Sequence, residues 1–295
     1  MTRAWTYLQE RFPLPAHGPL VAAFAGGIVC ASAGLRGGTP GWDVFAVAAV
    51  IALGSFFLLR VADEHKDAER DRTYQPERPV PRGLVTLREL RVAALAVGAM
   101  QALAAAWLDV RLVGALVLLW AWMALMTAEF FVPRWLEARP LAMLALHGLV
   151  VPAIDGVAVA ADVLAHDAAV PLGVAWLVGV GYFGGNVVEI GRKVRAPSDE
   201  IPGVATYSGA WGRPRALAAW AAAVTLSAAC GTGVLVAQDS ALVLVGAVWV
   251  AAAAVIGIAA SGGDAPGAGR RVEAAAGVWT LALYLTVGPL ALWIG

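Results

Sequence analysis

Three aspartates, Asp63, Asp67 and Asp71, recur at every fourth residue in the charged stretch RVADEHKDAERDRTYQPERPVPRG at 60–83. On a helix, successive members of such a series rotate by only about 40°, so the three carboxylates share one face. Like charges so placed repel one another, and a cation on that face relieves the repulsion. Magnesium suits it: a hard ion with oxygen ligands, usually one or two carboxylates plus the phosphate oxygens of a substrate. Pro76, Pro79 and Pro81 stiffen the segment that follows, and that segment carries Arg78 and Arg82. Guanidinium groups held beside a magnesium face are what a diphosphate needs. The same run also reads as a solvated loop whose acids pair with Lys66, Arg70 and Arg72.

A second polar stretch, NVVEIGRKVRAPSDEIPGVATYSGAWGRPR at 186–215, sets Asn186 and Glu189 one turn apart. Arg192, Lys193 and Arg195 follow, then Asp199 and Glu200. Taken alone, the basic part also reads as a loop that binds lipid headgroups.

These stretches must be held by membrane-spanning elements. Of the 295 residues, 60% are hydrophobic and only 14% charged, against about 25% charged in a soluble domain; mean hydropathy is +0.73. Apolar runs at about 19–35, 43–60, 89–108, 112–132, 140–161, 169–190, 215–236, 240–260 and 273–294 each approach the ~20 residues needed to cross a hydrocarbon core. The fold class expected is an all-α membrane protein, nine transmembrane helices bundled around one cytoplasm-facing cavity. It forms a single domain over 1–295, with an interfacial N-terminal segment at 1–18 and motif loops at 61–88 and 191–214. Alanine, glycine and valine dominate several spans, which lets helices approach closely.

Charge distribution orients the bundle. With these spans, 19 of the 21 Lys and Arg residues fall on one side, and only Arg36 and Arg111 on the other. The positive-inside rule then puts the N-terminus and the four polar loops in the cytoplasm and the C-terminus outside, as in a bacterial inner (plasma) membrane. A formal net charge of zero gives no sign of nucleic acid as a partner. Cys30 and Cys230 lie inside apolar runs, with neither disulfide nor zinc spacing.

The motifs resemble those of the UbiA superfamily of intramembrane prenyltransferases. That family carries Asn-x-x-x-Asp-x-x-x-Asp at the end of its second helix, followed by a stretch like Arg-Pro-x-x-x-Gly. Here the match is Asp63, Asp67 and Asp71, then Arg78-Pro79-Val80-Pro81-Arg82-Gly83; Asp63 replaces Asn and remains an oxygen ligand. The helix number, the N-in orientation and the loop positions agree as well, so the resemblance covers the whole chain. The second motif departs further. Where the family has two or three aspartates, this chain has Asn186 and Glu189, with Asp199 and Glu200 after a basic insertion. The resemblance assigns Asn186 and Glu189 to metal-facing positions, with Asp199 and Glu200 as alternatives, and puts Lys193 and Arg195 on the diphosphate with Arg192 beside them.

What the resemblance implies is a Mg2+-dependent enzyme that ionises an isoprenyl diphosphate and passes the isoprenyl group to an aromatic or other lipophilic acceptor. Asp63, Asp67, Asp71 and Glu189 would be catalytic; Arg78 and Arg82 would bind substrate. An intramembrane terpene cyclase is the alternative, because the ionisation machinery is shared. A transporter or lipid-binding protein is a third reading, and it calls for charges at the bilayer midplane. Ionisable groups within spans are functional candidates: Glu129 and Asp155 as cavity-lining residues, His147 as either that or a bridge between helices. Trp120, Trp122, Phe130, Phe131, Tyr182 and Phe183 could shield an allylic cation, or simply pack. Both loops are expected to converge on one opening, with an apolar groove lined by spans two, four and six leading away from it.

Overall fold

The computed structural model describes residues 2–201, 204–242, 249, 257 and 266–294, and the regular elements among them are all helical. In chain order these are α1 (Arg3–Arg11), α2 (Leu14–Leu35), α3 (Trp42–Lys66), α4 (Ala68–Tyr74), α5 (Leu87–Leu108), α6 (Leu112–Thr127) and α7 (Pro133–Glu137). They continue with α8 (Pro140–Gly148), α9 (Val150–Ala165), α10 (Val174–Gly191), α11 (Tyr207–Trp211), α12 (Arg213–Ala237), α13 (Ala268–Leu285) and α14 (Ala291–Ile294). Seven spans are long and apolar enough to cross a membrane: His17–Leu35, Trp42–Lys66, Leu87–Leu108, Pro140–Ala165, Val174–Gly191, Arg213–Ala237 and Ala268–Ile294. α6 is apolar but has 16 residues. The expected span 240–260 falls almost wholly outside the described residues, which therefore supply seven spans and one shorter apolar helix toward the nine expected.

Local chemistry sets the helix boundaries. α5 opens on a capping box: Glu89 N–H donates to the Thr86 hydroxyl at 3.2 Å, and Thr86 N–H donates to the Glu89 carboxylate at 2.7 Å. α8 and α12 each begin with a proline in the first turn, where the missing N–H costs nothing. The span 140–165 bends at Leu149, between α8 and α9, three residues before Pro152. Beyond α13 the helix widens into a π turn at Thr286–Leu290. Pro289 lies inside it and has no N–H to return to Leu285, and Gly288 backs onto Gly27 of α2 there.

α9 runs through the middle of the bundle, packed on α2, α3, α6 and α10. A polar clamp fixes α3 against its neighbours. Buried Gln101 of α5 donates to Ile51 O at 2.7 Å and to Ser55 Oγ at 3.1 Å, and accepts from Trp120 Nε1 of α6 at 3.1 Å. Interhelical hydrogen bonds of this kind contribute about 0.6–2 kcal/mol in a membrane, and this set ties down the helix that carries the first aspartate.

α1 packs onto the bundle. Tyr7 and Phe12 are buried, and Tyr7 packs with Val61, Val85 and Leu90 at the ends of α3 and α5. Arg3 Nε donates to Leu84 O at 2.7 Å, Arg11 Nε bonds Glu64 at 2.5 Å, and Arg82 bonds Glu10 at 2.7 Å. The N-terminal helix is thus strapped across the first motif loop.

Candidate functional site

The three aspartates follow one another along a nearly unbroken helical path. α3 ends at Lys66 and α4 begins at Ala68, yet Asp67 N–H donates to Asp63 O at 2.9 Å and Asp71 N–H to Asp67 O at 2.8 Å. The shared face therefore survives the junction. Their environments differ along it. The Asp63 side chain is 54% exposed and 3.7 Å from Arg60, Asp67 pairs with Arg70 at 3.0 Å, and the Asp71 side chain is 3% exposed. Arg78 reaches back to Asp71 Oδ2 at 2.6 Å, leaving Asp71 Oδ1 buried and without a hydrogen-bond partner.

The second motif loop lies at the same end. Glu189 receives Lys193 at 2.8 Å on one oxygen and Arg192 Nε at 2.7 Å on the other. Burial works against the Arg192 charge, but Glu189, and with it Asp63 from the first loop, holds its pKa above the usual arginine value. Lys193 also sits 5.6 Å over the ring of Tyr207, whose phenol is pushed up by burial and then by Glu189. Tyr207 N–H closes the loop on Lys193 O at 3.1 Å. Asn186 is buried with its Oδ1 unpartnered. It fits only because residue 148 is glycine, where a Cβ would sit 2.6 Å from that oxygen.

Three groups knit α3 to the α6–α8 corner. Lys66 and Glu129 form an ion pair, and His147 Nε2 lies 3.4 Å from the other Glu129 oxygen. Lys66 and His147 line a small cavity of about 20 Å³ together with Leu59, Ala62, Asp63, Met126 and Thr127. A larger apolar groove, about 400 Å³, runs between α6 and α9, lined by Ala115, Leu118, Leu119, Trp122, Leu149, Ala153, Gly156 and Val157. Trp122 packs edge-on against Phe130 at 5.3 Å, and Phe130 lies 6.3 Å from His147. This groove is lined by spans four and five. Small residues at 153 and 156, beyond the bend at Leu149, leave the space opposite Ala115.

Other expected site residues stand elsewhere. Arg82 is drawn to Glu10, which holds the arginine pKa up and the Glu10 carboxyl below its usual range. Arg195 donates to Asp199 O at 3.4 Å, and the Asp199 carboxylate accepts from Gly267 N–H at 2.8 Å, joining the loop to the start of α13. Glu200 accepts from Thr206 at 2.8 Å and Ser208 at 2.7 Å. Asp155 is buried against Gly181 beside the Tyr284 hydroxyl, and Tyr182 packs on Phe183 at 5.1 Å.

Oxygen donors at the first loop fit magnesium: two carboxylates with exposure and a third with an orphaned oxygen. The second loop fits it less well, because Glu189 has both oxygens engaged by bases and only Asn186 Oδ1 is left over. Among the described residues no three His, Cys, Asp or Glu side chains form a ready cage.

Solved structures with this arrangement of helices exist. A UbiA homologue from Aeropyrum pernix K1 superposes with a TM-score of 0.68 over 90% of this chain and 94% of its own, at 17% identity. The chain has the UbiA fold. A UbiA homologue from Archaeoglobus fulgidus, bound to DMAPP and Mg2+, matches with a TM-score of 0.62 over 98% of this chain and 99% of its own, at 14% identity. A digeranylgeranylglyceryl phosphate synthase matches with 0.61 over 100% and 99%, at 14% identity. No protein-family model and no curated protein matches the sequence. The UbiA fold is therefore visible in the path of the helices and the place of the two loops, at identities where sequence similarity alone is weak.

Proposed function

We propose that this chain is an intramembrane prenyltransferase of the UbiA superfamily that ionises an isoprenyl diphosphate and transfers the isoprenyl group to a lipophilic acceptor. The observation that carries the reading is the run of Asp63, Asp67 and Asp71 on one helical path, with Arg78 bonded to Asp71 and Arg192 of the second loop close enough to Asp63 for its charge to be felt. One or two of Asp63, Asp67 and Asp71 would hold magnesium, with diphosphate oxygens completing its shell and Asn186 Oδ1 as a further donor. When bound, that ion supplies Lewis-acid stabilisation of charge developing on the leaving diphosphate. Arg78, Arg192 and Lys193 meet the same charge by releasing Asp71 and Glu189 in favour of diphosphate oxygens. The groove between α6 and α9 takes the tail, and Trp122 and Phe130 present ring faces where a cation forms. The similarity of fold to a UbiA homologue bound to DMAPP and Mg2+ and to a digeranylgeranylglyceryl phosphate synthase supports this. The side rich in Lys and Arg is the cytoplasmic side of a bacterial plasma membrane on this reading.

The test is incubation of purified protein with magnesium and C10 to C25 isoprenyl diphosphates, with and without membrane lipid extract, followed by mass spectrometry. Prenyl transfer predicts diphosphate release and a product heavier by the isoprenyl group that needs the extract. A cyclised hydrocarbon formed without extract would instead establish the terpene cyclase reading, and no diphosphate release from any substrate would refute both.

A further inference from the structure

We propose that His147 is the base that takes the proton lost by the acceptor during prenyl transfer, and that Glu129 is the residue that positions it. This rests on the prenyltransferase reading above and adds a step that neither motif loop supplies. Once the allylic C–O bond breaks, its electron pair leaves on the diphosphate. The acceptor, a hydroxyl or an aromatic ring, contributes the pair for the new bond and must shed a proton. With Nε2–H directed at Glu129, the imidazole lone pair sits on Nδ1 and receives that proton, which then passes to water.

The backbone is the first reason. Glu129, Phe130 and Phe131 all have positive φ, at 49°, 50° and 61°, with no glycine among them. Three consecutive side-chain-bearing residues in the left-handed region are strained, and they persist only where surrounding contacts over-determine them. Here the turn delivers the Glu129 carboxylate to Lys66 on one oxygen and His147 on the other.

The second reason is isolation. His147 Nε2 and Glu129 Oε2 are buried and face each other at 3.4 Å, and neither makes a standard hydrogen bond in this structure. The ring itself is 26% exposed, so its accessible part lies away from Glu129. Lys66 holds one Glu129 oxygen, and the other faces the ring, where it orients the imidazole and stabilises the imidazolium that forms.

The third reason is place. His147 borders the small cavity that also contains Asp63 and Lys66, and through Phe130 it adjoins the Trp122 end of the apolar groove. A substrate with its diphosphate at the aspartates and its tail in the groove has its reactive carbon between the two, beside this ring.

The experiment measures diphosphate release and prenylated product separately in wild type, His147→Ala and His147→Asn. Asparagine keeps an N–H for Glu129 but is not basic. Both variants should release diphosphate within a few-fold of wild type while transferred product falls about a hundred-fold or more and prenyl alcohol from water capture takes its place. Glu129→Gln should show the same uncoupling to a smaller degree. Transfer at the wild-type ratio in His147→Asn would overturn the proposal and leave the histidine as a helix bridge, as would equal loss of release and transfer in that variant. Failure of wild type itself to release diphosphate would instead strike the underlying prenyltransferase reading.

Discussion

Both ends of the bundle hold buried carboxylates, and they are treated differently. At the end away from the motifs, Asp162 is fully buried and its oxygens are used: Ser32 donates at 2.7 Å, Arg36 at 3.0 and 3.1 Å, and His166 stands at 3.5 Å. That cluster joins α2 to α9 and leaves nothing for a ligand. At the motif end, Asp71 is nearly as buried, yet one of its oxygens is unpartnered, as are Asn186 Oδ1 and Glu129 Oε2 by hydrogen-bond geometry. Asp63 is open to solvent, and Lys193 and Arg192 are held by a single glutamate. Buried polar groups left short of partners are costly; several stand at the motif end, while Asp155 of α9, beside Tyr284, and Gln238 after α12 are unpartnered elsewhere.

The sharpest way to break this contrast is to remove one charge from each end. Asp67→Ala should cut turnover by at least two to three orders of magnitude, the size expected when a group stabilising transition-state charge is lost, with little change in thermal stability in detergent. Near-normal activity in Asp67→Ala would remove the aspartate face from the mechanism. Asp162→Ala should do the reverse. The half-buried Arg36 loses its carboxylate and keeps only Thr39 O, so the melting temperature in detergent should fall, while turnover per folded molecule stays near wild type. An Asp162 variant that unfolds normally but fails to turn over would show that the far end takes part in chemistry.

A milder probe is Gln101→Leu, which cuts the clamp among α3, α5 and α6 without touching a charged group. It should lower stability by about 0.6–2 kcal/mol, read by the denaturation midpoint, and raise the apparent KM for the diphosphate as the aspartate helix loosens. The smallest effect concerns α1. Because Arg82 holds the Glu10 carboxyl below its ordinary range, the contact is complete above the normal carboxylate pKa. It is lost as pH falls through the depressed value. Hydrogen exchange of residues 3–11 should therefore quicken only in acid, and Glu10→Gln should show the faster exchange at neutral pH.

Much of this was legible in the sequence, for identifiable reasons. Spans announce themselves because lipid demands long uninterrupted apolar helices, and Asp63, Asp67 and Asp71 announce themselves because a spacing of four is close to a helical turn. Features made by distant residues did not. Nothing near Arg82 reveals that Glu10, 72 positions earlier, takes its guanidinium, and nothing near Asp199 points to Gly267 N–H. α6 reads as a span to 132 by hydropathy, but the helix stops at Thr127 and a left-handed turn follows without a glycine to signal it. Glu129 was visible as a charge in an apolar run; its partners, 63 residues before and 18 after, were not. The second motif is the opposite case. Its basic residues were plain, and the structure adds that Glu189 is bound up with them.

The measurement closest to the central claim is binding, separated from turnover. An isoprenyl diphosphate analogue that cannot ionise should be titrated calorimetrically into wild type and Asp67→Ala, each with magnesium and with chelator. Saturable binding to wild type that needs magnesium and is lost in Asp67→Ala is the expected result. Equal affinity in all four conditions would contradict it, because the unsatisfied carboxylates of the motif end would then have no part in holding the diphosphate.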